Sequence, residues 1–259
     1  MEEIKISLIM PNYNGEKYLK RSIESFLEQD YEYKELIIID GKSQDSSHEI
    51  IQGYAEKFDS IVWLRCPDSG ISDAINNGLM QSTGDIIGYL GSDDILIKDI
   101  LTVVYSTYKN LVELDALYFN SYTFNKRNNE IELRRCPRVK FTKENLIIYG
   151  TIVGLQNIFF RKSIYKDIGF NVLNKYSMDY EFYLEISEKG YLYLHLDEAA
   201  TINIFDGNIS GTLQDRQYLE SLFVAKKFAD RPSLQVLINL KIIKFRIKNV
   251  LKGVLRKNQ

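Results

Sequence analysis

Carboxylates follow two apolar runs of this 259-residue chain, and the second run ends in an adjacent pair. Leu36–Ile39 leads directly into Asp40, and Asp85–Leu90 leads through Gly-Ser into Asp93 and Asp94. Uninterrupted apolar runs are typical of strands buried on both faces, and open α/β sheets bind ligands at the carboxyl ends of their strands. Adjacent carboxylates repel each other unless a cation lies beside them. The spacing therefore predicts a site for a divalent metal and for an anionic group that the metal can bridge.

The elements that must position these carboxylates alternate between strand and helix patterns. Strands are predicted at Ile4–Met10, which Pro11 stops, and at Leu36–Ile39, Ile61–Arg65 and Asp85–Leu90. Helices are predicted at Glu16–Gln29, from Ser46 or Ser47 to about Lys57, and after Ser72 as a cap. Short connections between strands and helices favour a mainly parallel sheet. The predicted fold class is therefore α/β.

The pattern becomes mixed after residue 98. A hairpin is predicted from Ala116–Asn125 and Ile131–Arg135, then a strand at Ile158–Arg161, a helix near Met178–Lys189, and short strands at Tyr191–Leu196 and Thr201–Phe205. We expect one domain over residues 1–210, with a ligand-binding half at 1–98 and a second half at 99–210. Residues 211–259 are predicted to form a basic, amphipathic helical extension.

The charge pattern of that extension allows two interpretations. From Pro232 to the end the chain has no acidic residue, while its basic residues are Lys241, Lys244, Arg246, Lys248, Lys252, Arg256 and Lys257. Between them, apolar residues recur at helical spacing: Leu237, Leu240, Ile243, Ile247, Val250, Leu251 and Val254. Either this helix packs on its own domain with solvated lysines, or it docks on an anionic membrane surface.

Composition excludes several classes of protein. A net charge of -2 lacks the basic field of nucleic-acid-binding proteins, so no nucleic-acid partner is expected. Two cysteines, Cys66 and Cys136, without a clustered His/Cys pattern argue against zinc sites and disulfide frameworks and favour the reducing cytoplasm. The first residues carry no signal-peptide pattern, and no stretch is apolar over the roughly 18 residues of a spanning helix.

Two common nucleotide-binding motifs are absent from the sequence. Neither GxGxxG nor GxxxxGK[ST] follows any predicted strand, which argues against a dinucleotide enzyme and a P-loop NTPase. A sugar-phosphate nucleotidyltransferase would need a glycine-rich loop after the first strand. Here that loop is Pro11-Asn-Tyr-Asn14, which offers a stacking ring and amides. A base or ribose fits such a loop better than a triphosphate does.

Several linked motifs resemble those of the family 2 inverting glycosyltransferases, in order and spacing, over roughly residues 4–210. They are Pro11-Asn-Tyr-Asn14, Ile39-Asp-Gly-Lys-Ser-Gln-Asp45, Pro67-Asp-Ser-Gly-Ile-Ser-Asp-Ala-Ile-Asn-Asn-Gly78, Tyr89-Leu-Gly-Ser-Asp-Asp94, Gln156-Asn-Ile-Phe-Phe-Arg161 and Met178-Asp-Tyr-Glu181. The resemblance implies a GT-A fold, with a Rossmann-like nucleotide-sugar-binding sheet and a mixed acceptor half. It also implies a nucleotide-sugar donor, a Mn²⁺ or Mg²⁺ ion and inversion at the anomeric carbon.

The resemblance also assigns the donor site residue by residue. The residues expected to bind the nucleotide sugar are Pro11, Tyr13, Asn14, Asp40, Ser43, Asp68, Gly70, Asp73, Asn76 and Asp93. Relatives carry a second carboxylate after the one equivalent to Asp40, and it reads uracil; here that position is Gly41. Base contacts then fall to Asp40, Ser43 and Tyr13. Asp73 is ambiguous between ligand binding and capping of its own helix.

Asp94 is the expected metal ligand by its place in the family pattern. Ser92 stands where many relatives carry another carboxylate, so weak metal binding is expected without the nucleotide. A hard divalent ion held by few carboxylates and by the phosphates can neutralise a leaving pyrophosphate. The alternative is that Asp93 and Asp94 merely cap a helix beginning near Ile97.

Asp179 is the expected general base, by resemblance to an acidic motif that precedes an amphipathic helix. A carboxylate can take the proton of the acceptor hydroxyl while the glycosyl bond forms. Glu181 is the second choice for this role, and Gln156 is placed on the acceptor side, where Leu155 replaces a family histidine. The alternative for both carboxylates is an ordinary acidic first helical turn, which the helix dipole favours.

The sequence therefore predicts an inverting, metal-dependent transferase that moves one sugar from a nucleotide diphosphate, UDP in the first instance, to a hydroxyl. The Gln-x-x-Arg-Trp feature of processive synthases is absent, since the only tryptophan is Trp63. With the basic tail, the expected acceptor is a lipid-linked saccharide at the cytoplasmic face of the membrane, as in bacterial surface-polysaccharide assembly. The rival functions are a nucleotidyltransferase and a non-catalytic module that binds nucleotide sugar or glycan.

Overall fold

The computed structural model describes residues 3–166, 168–205 and 213–257. Its first part contains, in chain order, β1 (Ile6–Asn12), α1 (Glu16–Leu27), β2 (Lys34–Asp40), α2 (Ser47–Ala55), β3 (Ile61–Arg65), α3 (Ile71–Gln81) and β4 (Ile86–Tyr89). The four strands are parallel and lie in the order β3-β2-β1-β4. Their carboxyl ends therefore share one edge of the sheet, as the strand-ending carboxylates predict.

The second part adds strands to the same sheet and helices to its surface. It contains β5 (Asp94–Leu96), α4 (Ile100–Asn110), β6 (Ala116–Asn125), β7 (Glu130–Arg134), α5 (Lys143–Tyr149), β8 (Ile158–Arg161), α6 (Met178–Ser187), β9 (Tyr193–Phe205), α7 (Gln214–Phe228) and α8 (Pro232–Lys257). Short 3₁₀ segments, Leu155–Asn157 and Lys162–Lys166, flank β8.

One sheet joins the two halves of the chain. β4 pairs antiparallel with β8, β8 pairs antiparallel with β6, and β6 pairs parallel with β9. β5 pairs antiparallel with β9, and β7 pairs with the second half of β6. Since β6 and β9 run in the direction of β4, their carboxyl ends point to the edge where β1 and β2 end. The predicted α/β class, parallel first half and mixed second half are confirmed.

Apolar side chains of alternate residues enter two different cores, one on each face of the sheet. In β4, Ile87 and Tyr89 lie in one cluster, while Ile86 and the following Leu90 lie in the other. In β2, Ile37 and neighbours pack on α3, and alternate residues pack on the opposite face. Burial on both faces explains why these strands have unbroken apolar sequences.

Two predicted boundaries of the first half are wrong. Pro11 does not stop β1, which continues to Asn12. At this point β1 pairs with β2 alone, its ladder with β4 having ended at Ile9, so the missing proline N–H interrupts no bond to β4. Helix α3 begins at Ile71 after Gly70 as its N-cap residue, and Ser72 lies inside its first turn.

In the second half, the predicted helix near Ile97 begins at Ile100, and a short strand precedes it. The two predicted strands Tyr191–Leu196 and Thr201–Phe205 are one strand, β9, whose pairing with β6 shifts register on both sides of Asn120. A bulge of this kind inserts extra residues without ending the strand, so the polar stretch between the two predicted strands is misread as a loop. Helix α5 was not predicted.

The predicted C-terminal helices are confirmed as α7 and α8. Leu222, Val224 and Ala225 of α7 and Leu234, Ile238 and Ile242 of α8 are buried in the core that also contains α5 and α6. The domain boundary predicted at residue 210 lies outside the described residues, as do the side chains of Val250, Leu251 and Val254. Within the described ranges, no helix has the length and apolarity that crossing a membrane requires.

Candidate active site

A buried carboxylate lies where β1 and β2 end together. Asn12 is the register partner of Asp40, which is fully buried. The Asn12 Nδ2 amide donates to Asp40 Oδ1 at 3.0 Å, and the Ser43 hydroxyl donates to the same oxygen. Arg65 Nε lies 3.8 Å from Asp40 Oδ2. Hydrogen bonds and a nearby cation stabilise a buried carboxylate, so Asp40 can be held in one orientation at the sheet edge. Sequence reasoning did not single out Asn12 or Arg65.

The loop after β1 presents an aromatic ring beside this carboxylate. Asn14 adopts a left-handed conformation with φ of 52°, which asparagine tolerates better than most residues. Its backbone N–H donates to Ser43 Oγ at 2.9 Å, and its Oδ1 accepts from the backbone N–H of Gln44 at 2.8 Å. The loops after β1 and β2 are thereby tied together. The Tyr13 ring is 64% exposed, which leaves a face open for a planar ligand.

A second carboxylate occupies the space beside Gly41. A Cβ added at Gly41 would lie 2.6 Å from Asp68 Oδ2 and 3.4 Å from the Tyr13 ring. Asp68 Oδ1 accepts from the backbone N–H of Gly70 at 3.0 Å. Burial, followed by the charges of Asp73 and Asp40, raises the pKa of Asp68. Asp68 therefore occupies the space that a side chain at position 41 would fill, and the glycine there makes room for it.

Gly41→Ala is expected to weaken binding of the nucleotide at least about tenfold, because a methyl group would displace Asp68 or Tyr13. Titration of UDP by calorimetry measures this loss. Gly53→Ala is the matched control, since a Cβ there meets nothing within 4 Å and Gly53 lies inside α2. That control should keep its affinity and gain up to about 1 kcal/mol of stability. Equal affinity in the two variants would exclude a nucleotide site around Gly41.

Three predicted donor-site residues lie at the start of α3, and two of them also have framework contacts. Gly70 has φ of 127°, a conformation that side chains disfavour, and it allows the chain to turn into the helix. Asp73 Oδ2 accepts from the backbone N–H and hydroxyl of Ser69, at 2.9 and 3.1 Å. The Asn76 side chain donates to the backbone carbonyl of Phe170 and accepts from its N–H, at 2.8 and 2.9 Å. Asn76 thus fastens α3 to the acceptor half.

The adjacent pair of carboxylates lies at the end of β4, next to the loop after β1. Ser92 Oγ lies 3.1 Å from the position of a Cβ added at Gly15, so the two loops are in close contact. Asp94 is buried and begins β5, and α4 begins only at Ile100. Capping of that helix is therefore excluded as the role of Asp94. Asp93 is half-buried beside it.

Burial, and then the charge of Asp93, raises the pKa of Asp94 to about 7. A carboxylate in this environment is unfavourable as an isolated anion, and a hard cation would offset the cost with oxygen ligands of the type that Mn²⁺ and Mg²⁺ take. Within the described residues, no group of three or more His, Cys, Asp or Glu side chains is placed to hold a metal ion. An ion held by Asp94 and Asp93 would therefore need oxygen ligands from a bound molecule, such as phosphate oxygens, to complete its coordination.

Asn203 is a contact of Asp94 that the sequence did not predict. It is the register partner of Asp94, and its Nδ2 amide donates to Asp94 Oδ1 at 2.7 Å. The same amide lies 3.3 Å from Thr201 Oγ1, whose hydroxyl donates to Asn157 Oδ1 at 2.9 Å. A polar chain of contacts therefore joins the predicted metal ligand to the segment that carries Gln156.

Asn203→Ala is expected to weaken Mn²⁺-dependent binding of the donor about 10-fold or more, because Asp94 would lose the bond that fixes its carboxylate. The stabilisation of the folded protein by UDP with Mn²⁺, minus that by UDP alone, measures the effect. Thr201→Val keeps the bond from Asn203 to Asp94 while removing both bonds of the Thr201 hydroxyl, so its metal-dependent stabilisation should remain within about threefold of wild type. An unchanged value in Asn203→Ala would contradict this role.

The predicted base, Asp179, lies in the first turn of α6 with partial exposure to solvent. Its Oδ1 accepts from the backbone N–H of Tyr180 at 2.8 Å. Burial by the surrounding protein raises the pKa of Asp179, and the hydroxyl of Tyr183, one turn later, is close enough to sense its charge. A carboxylate that is partly exposed to solvent and has a raised pKa has the properties of a general base.

Glu181, the second choice for the base, lies in a network that holds the start of α6. Its Oε2 accepts from Asn171 Nδ2 at 3.0 Å and from Asn174 Nδ2 at 2.8 Å, and Lys227 Nζ lies 3.4 Å from Oε1. Glu220 of α7, which the sequence did not indicate, accepts from the backbone N–H of Tyr176 at 2.7 Å. These contacts give Glu181 a framework role in the structure and fix the approach of the chain to Asp179.

The predicted donor and acceptor sides meet at the loop before α6. Lys175 Nζ donates to the carbonyl of Ser69 at 2.6 Å, and Ser72 Oγ donates to the carbonyl of Asn174 at 3.3 Å. Asp68 and Asp179 therefore lie on segments joined by direct hydrogen bonds. Gln156 is half-buried in the 3₁₀ segment before β8, on the same face of the sheet as α6. The structure thus brings the predicted donor residues to one edge, with Asp179 on the adjoining segment.

A sequence profile described as Glycosyl transferase family 2 matches residues 7–169, more than half of the chain. The chain therefore belongs to glycosyltransferase family 2. It is 33% identical over 124 residues to Glycosyltransferase GlyA of Streptococcus pneumoniae, a match that covers 47% of this chain and 17% of that protein. It is 37% identical over 123 residues to the Minor teichoic acid biosynthesis protein GgaA of Bacillus subtilis, covering 43% and 28%. In both cases this chain spans well under two thirds of the relative.

Solved structures of low sequence identity share the fold. Residues 1–349 of S. aureus TarS in complex with UDP-GlcNAc match with a TM-score of 0.68 at 19% identity, over 93% of this chain and 71% of that one. The mannosyltransferase PcManGT of Pyrobaculum calidifontis, in complex with GDP-Man and Mn²⁺, matches with a TM-score of 0.66 at 14% identity, over 93% and 70%. The predicted GT-A fold with C-terminal helices is confirmed.

Proposed function

We propose that this protein is an inverting glycosyltransferase that moves one sugar from a nucleotide-diphosphate sugar, most simply a UDP-sugar, to a hydroxyl of a saccharide acceptor. Membership of the family favours glycosyl transfer over the nucleotidyl transfer considered from the sequence. The observation that carries the proposal is the placement of Asp40, Asp68 and Asp94 at one edge of the sheet, with Asp179 on the adjoining segment.

In this proposal the edge formed by β1 and β2 binds the nucleotide. The exposed ring of Tyr13 stacks on the base, with Pro11 beside it in the strand. Asp68 offers an acceptor to the N3–H of a uracil or to the hydroxyls of a ribose. Asp40 and Ser43 are buried, and through their hydrogen bonds they hold the base-binding loops in position. The segment from Asp68 to Asn76, which turns into α3 at Gly70, lines the sugar side.

Asp179 takes the proton of the acceptor hydroxyl as that oxygen attacks the anomeric carbon. The new glycosidic bond forms while the bond from the anomeric carbon to the β-phosphate oxygen breaks, and the nucleoside diphosphate leaves with the electron pair. A single displacement of this kind inverts the anomeric configuration and needs one base. Gln156 is assigned to the acceptor side.

Asp94, with Asp93 beside it, is the proposed ligand of Mn²⁺ or Mg²⁺. When bound there, the ion would neutralise charge on the leaving diphosphate. The complex of PcManGT with GDP-Man and Mn²⁺ supports divalent-metal use among proteins of this fold. The role of Asp94 itself is to place one carboxylate oxygen at the end of β4 in a fixed orientation.

The acceptor that we infer is a lipid-linked saccharide in bacterial surface-polysaccharide assembly, used at the cytoplasmic face of the membrane by a peripheral enzyme. Similarity to a teichoic acid biosynthesis protein, and to the chondroitin synthase of Escherichia coli at 26% identity over 185 residues, supports a role in polysaccharide assembly. The basic charge of α8 is the reason for placing the acceptor at the membrane. One sugar is added per encounter.

A screen of nucleotide sugars by thermal shift, with and without Mn²⁺, tests the proposal. A true donor should raise the melting temperature in the presence of the ion by mass action. Release of nucleoside diphosphate with a crude lipid-linked acceptor then measures transfer. Incubation with sugar-1-phosphate and nucleoside triphosphate should release no pyrophosphate. Binding of a donor without any transfer would instead support a non-catalytic binding module.

A further inference from the structure

Helix α8 carries two apolar faces on opposite sides. One face, made by Leu234, Ile238 and Ile242, is buried in the protein core. The other consists of Val236, Leu240, Ile243 and Ile247, which are 58%, 58%, 53% and 55% exposed. At 100° per residue these four side chains fall within one 60° arc, about half a turn away from the buried face. We refer to the four as the outer stripe.

The orientation of α8 is fixed by contacts other than the outer stripe. Lys241 Nζ donates to the backbone carbonyls of Ile147 and Ile148 in α5, at 3.1 and 2.7 Å. The Phe245 and Tyr218 rings pack at 5.3 Å between centroids. Because the helix is fastened along its other sides, the outer stripe is held towards solvent. The outer stripe is therefore exposed although the rest of α8 is packed against the protein. Only a binding partner can cover it.

The charges that α8 itself carries around the outer stripe all have one sign. Lys244 and Lys248 lie on one side of it and Arg246 on the other, and all three side chains are exposed. From Pro232 to the end of the chain there is no acidic residue. A surface that buries four apolar side chains while bringing three cations close is complementary to an anionic, partly apolar partner.

The spacing of the outer stripe also resembles a coiled-coil seam, with steps of four, three and four residues. In a helix pair formed by two copies, Lys244 and Arg246 would occupy the positions that flank the seam. Those positions carry opposite charges in favourable pairs, whereas here both are basic in each copy, in either orientation of the pair. The same charges are favourable against anionic lipid headgroups, so the pattern favours a membrane surface over a second copy.

We propose that the outer stripe of α8 is a docking surface for anionic phospholipid. The helix lies in the plane of the headgroups with Leu240 and Ile243 at the centre of the contact, and the flanking cations meet the headgroup phosphates. This inference depends on the exposure and charge of α8, and it stands independently of the donor and of the reaction assigned to the catalytic site.

Co-sedimentation of the full chain with vesicles tests the proposal. The wild type should bind vesicles that contain phosphatidylglycerol far more strongly than neutral phosphatidylcholine vesicles. Salt should weaken its binding to the anionic vesicles. Leu240→Glu/Ile243→Glu should lower the partition coefficient at least about tenfold. Lys244→Gln/Lys248→Gln should lower it about tenfold on anionic vesicles only. Ile131→Glu, a change at an exposed apolar side chain of β7, should leave it unchanged.

Other results of these measurements would contradict the docking proposal. Unchanged partition of Leu240→Glu/Ile243→Glu, or equal binding to neutral and anionic vesicles, would overturn the proposal. A concentration-dependent dimer in light scattering that this variant abolishes, without binding of the wild type to vesicles, would assign the outer stripe to a second copy. Donor-induced thermal stabilisation of all variants should equal that of the wild type, which confirms folding. That measurement also separates failure at the membrane from failure of the proposed catalytic site.

Discussion

Replacing Asp179 with asparagine should lower the rate of sugar transfer by about 10³-fold or more, because the acceptor hydroxyl would lose its base. Donor binding should be unaffected, since Asp179 lies on α6 and accepts a hydrogen bond from the backbone of Tyr180. The amide is close in size to the carboxylate and can still accept the hydrogen bond from that N–H. Single-turnover transfer, alongside calorimetric titration of the donor, measures both quantities.

The pH dependence of the wild type gives a second measure of the same group. Burial raises the pKa of Asp179, so the base is protonated at a higher pH than an ordinary aspartate. At saturating donor and Mn²⁺, the rate of transfer should therefore fall as the pH decreases, with an acid limb at higher pH than an ordinary aspartate would give. In Asp179→Asn this limb should disappear from the residual activity.

Glu181→Gln is the informative comparison for Asp179→Asn. Because Glu181 accepts from Asn171 and Asn174 and faces Lys227, its loss should destabilise the fold by about 1–3 kcal/mol and leave the acid limb in place. If Asp179→Asn kept full turnover and Glu181→Gln lost the acid limb of the pH profile, the role of general base would be assigned to Glu181.

Asp94→Asn should abolish Mn²⁺-dependent donor binding and lower transfer at least about 100-fold, since a neutral amide is a far weaker ligand for a hard cation. Without metal, however, the variant should be more stable than the wild type. Burial and the charge of Asp93 raise the pKa of Asp94 to about 7, which means that the folded protein holds this charge at a cost. Removing it should raise the free energy of unfolding by on the order of 1–3 kcal/mol near pH 8.

Asp99→Asn is the control for Asp94→Asn. Asp99 is exposed and left-handed, with φ of 62°, a conformation that asparagine also tolerates. Transfer, metal response and stability should all stay close to wild type. A metal response retained in Asp94→Asn would remove Asp94 from the metal site. Reduced stability of that variant would show that the buried charge is well compensated in the fold.

Local patterns were sufficient to place the strand-ending carboxylates. Buried parallel strands have unbroken apolar sequences, so Asp40 and Asp94 could be assigned to one edge from the residue pattern alone. The contacts that orient them could not be assigned in this way. Asn203 meets Asp94 only because β5 pairs with β9 across 109 residues of sequence. Pairing between strands that are distant in sequence produces no local pattern of apolar and polar residues that would reveal it.

The errors have equally physical origins. The bulge opposite Asn120 made one strand look like two, since its extra residues interrupt the alternation of apolar and polar side chains. Helix α5 is seven residues long, too short to show a helical period. The glycine at position 41 looked like a lost carboxylate, whereas Asp68 enters the same space from another loop. A side chain from one loop that takes the place of a side chain from another loop can be recognised only in the three-dimensional structure.

Helix α3 belongs by sequence to the first half of the chain and by contacts to both halves. Asn76 is hydrogen-bonded to the backbone of Phe170, and Lys175 to the carbonyl of Ser69, so the wall of the proposed sugar site is assembled from segments that lie about a hundred positions apart. A chimera that joins two relatives between residues 98 and 99 would lose these hydrogen bonds unless both partners came from the same parent. Chimeras designed to change acceptor preference should therefore transplant α3 along with residues 170–177.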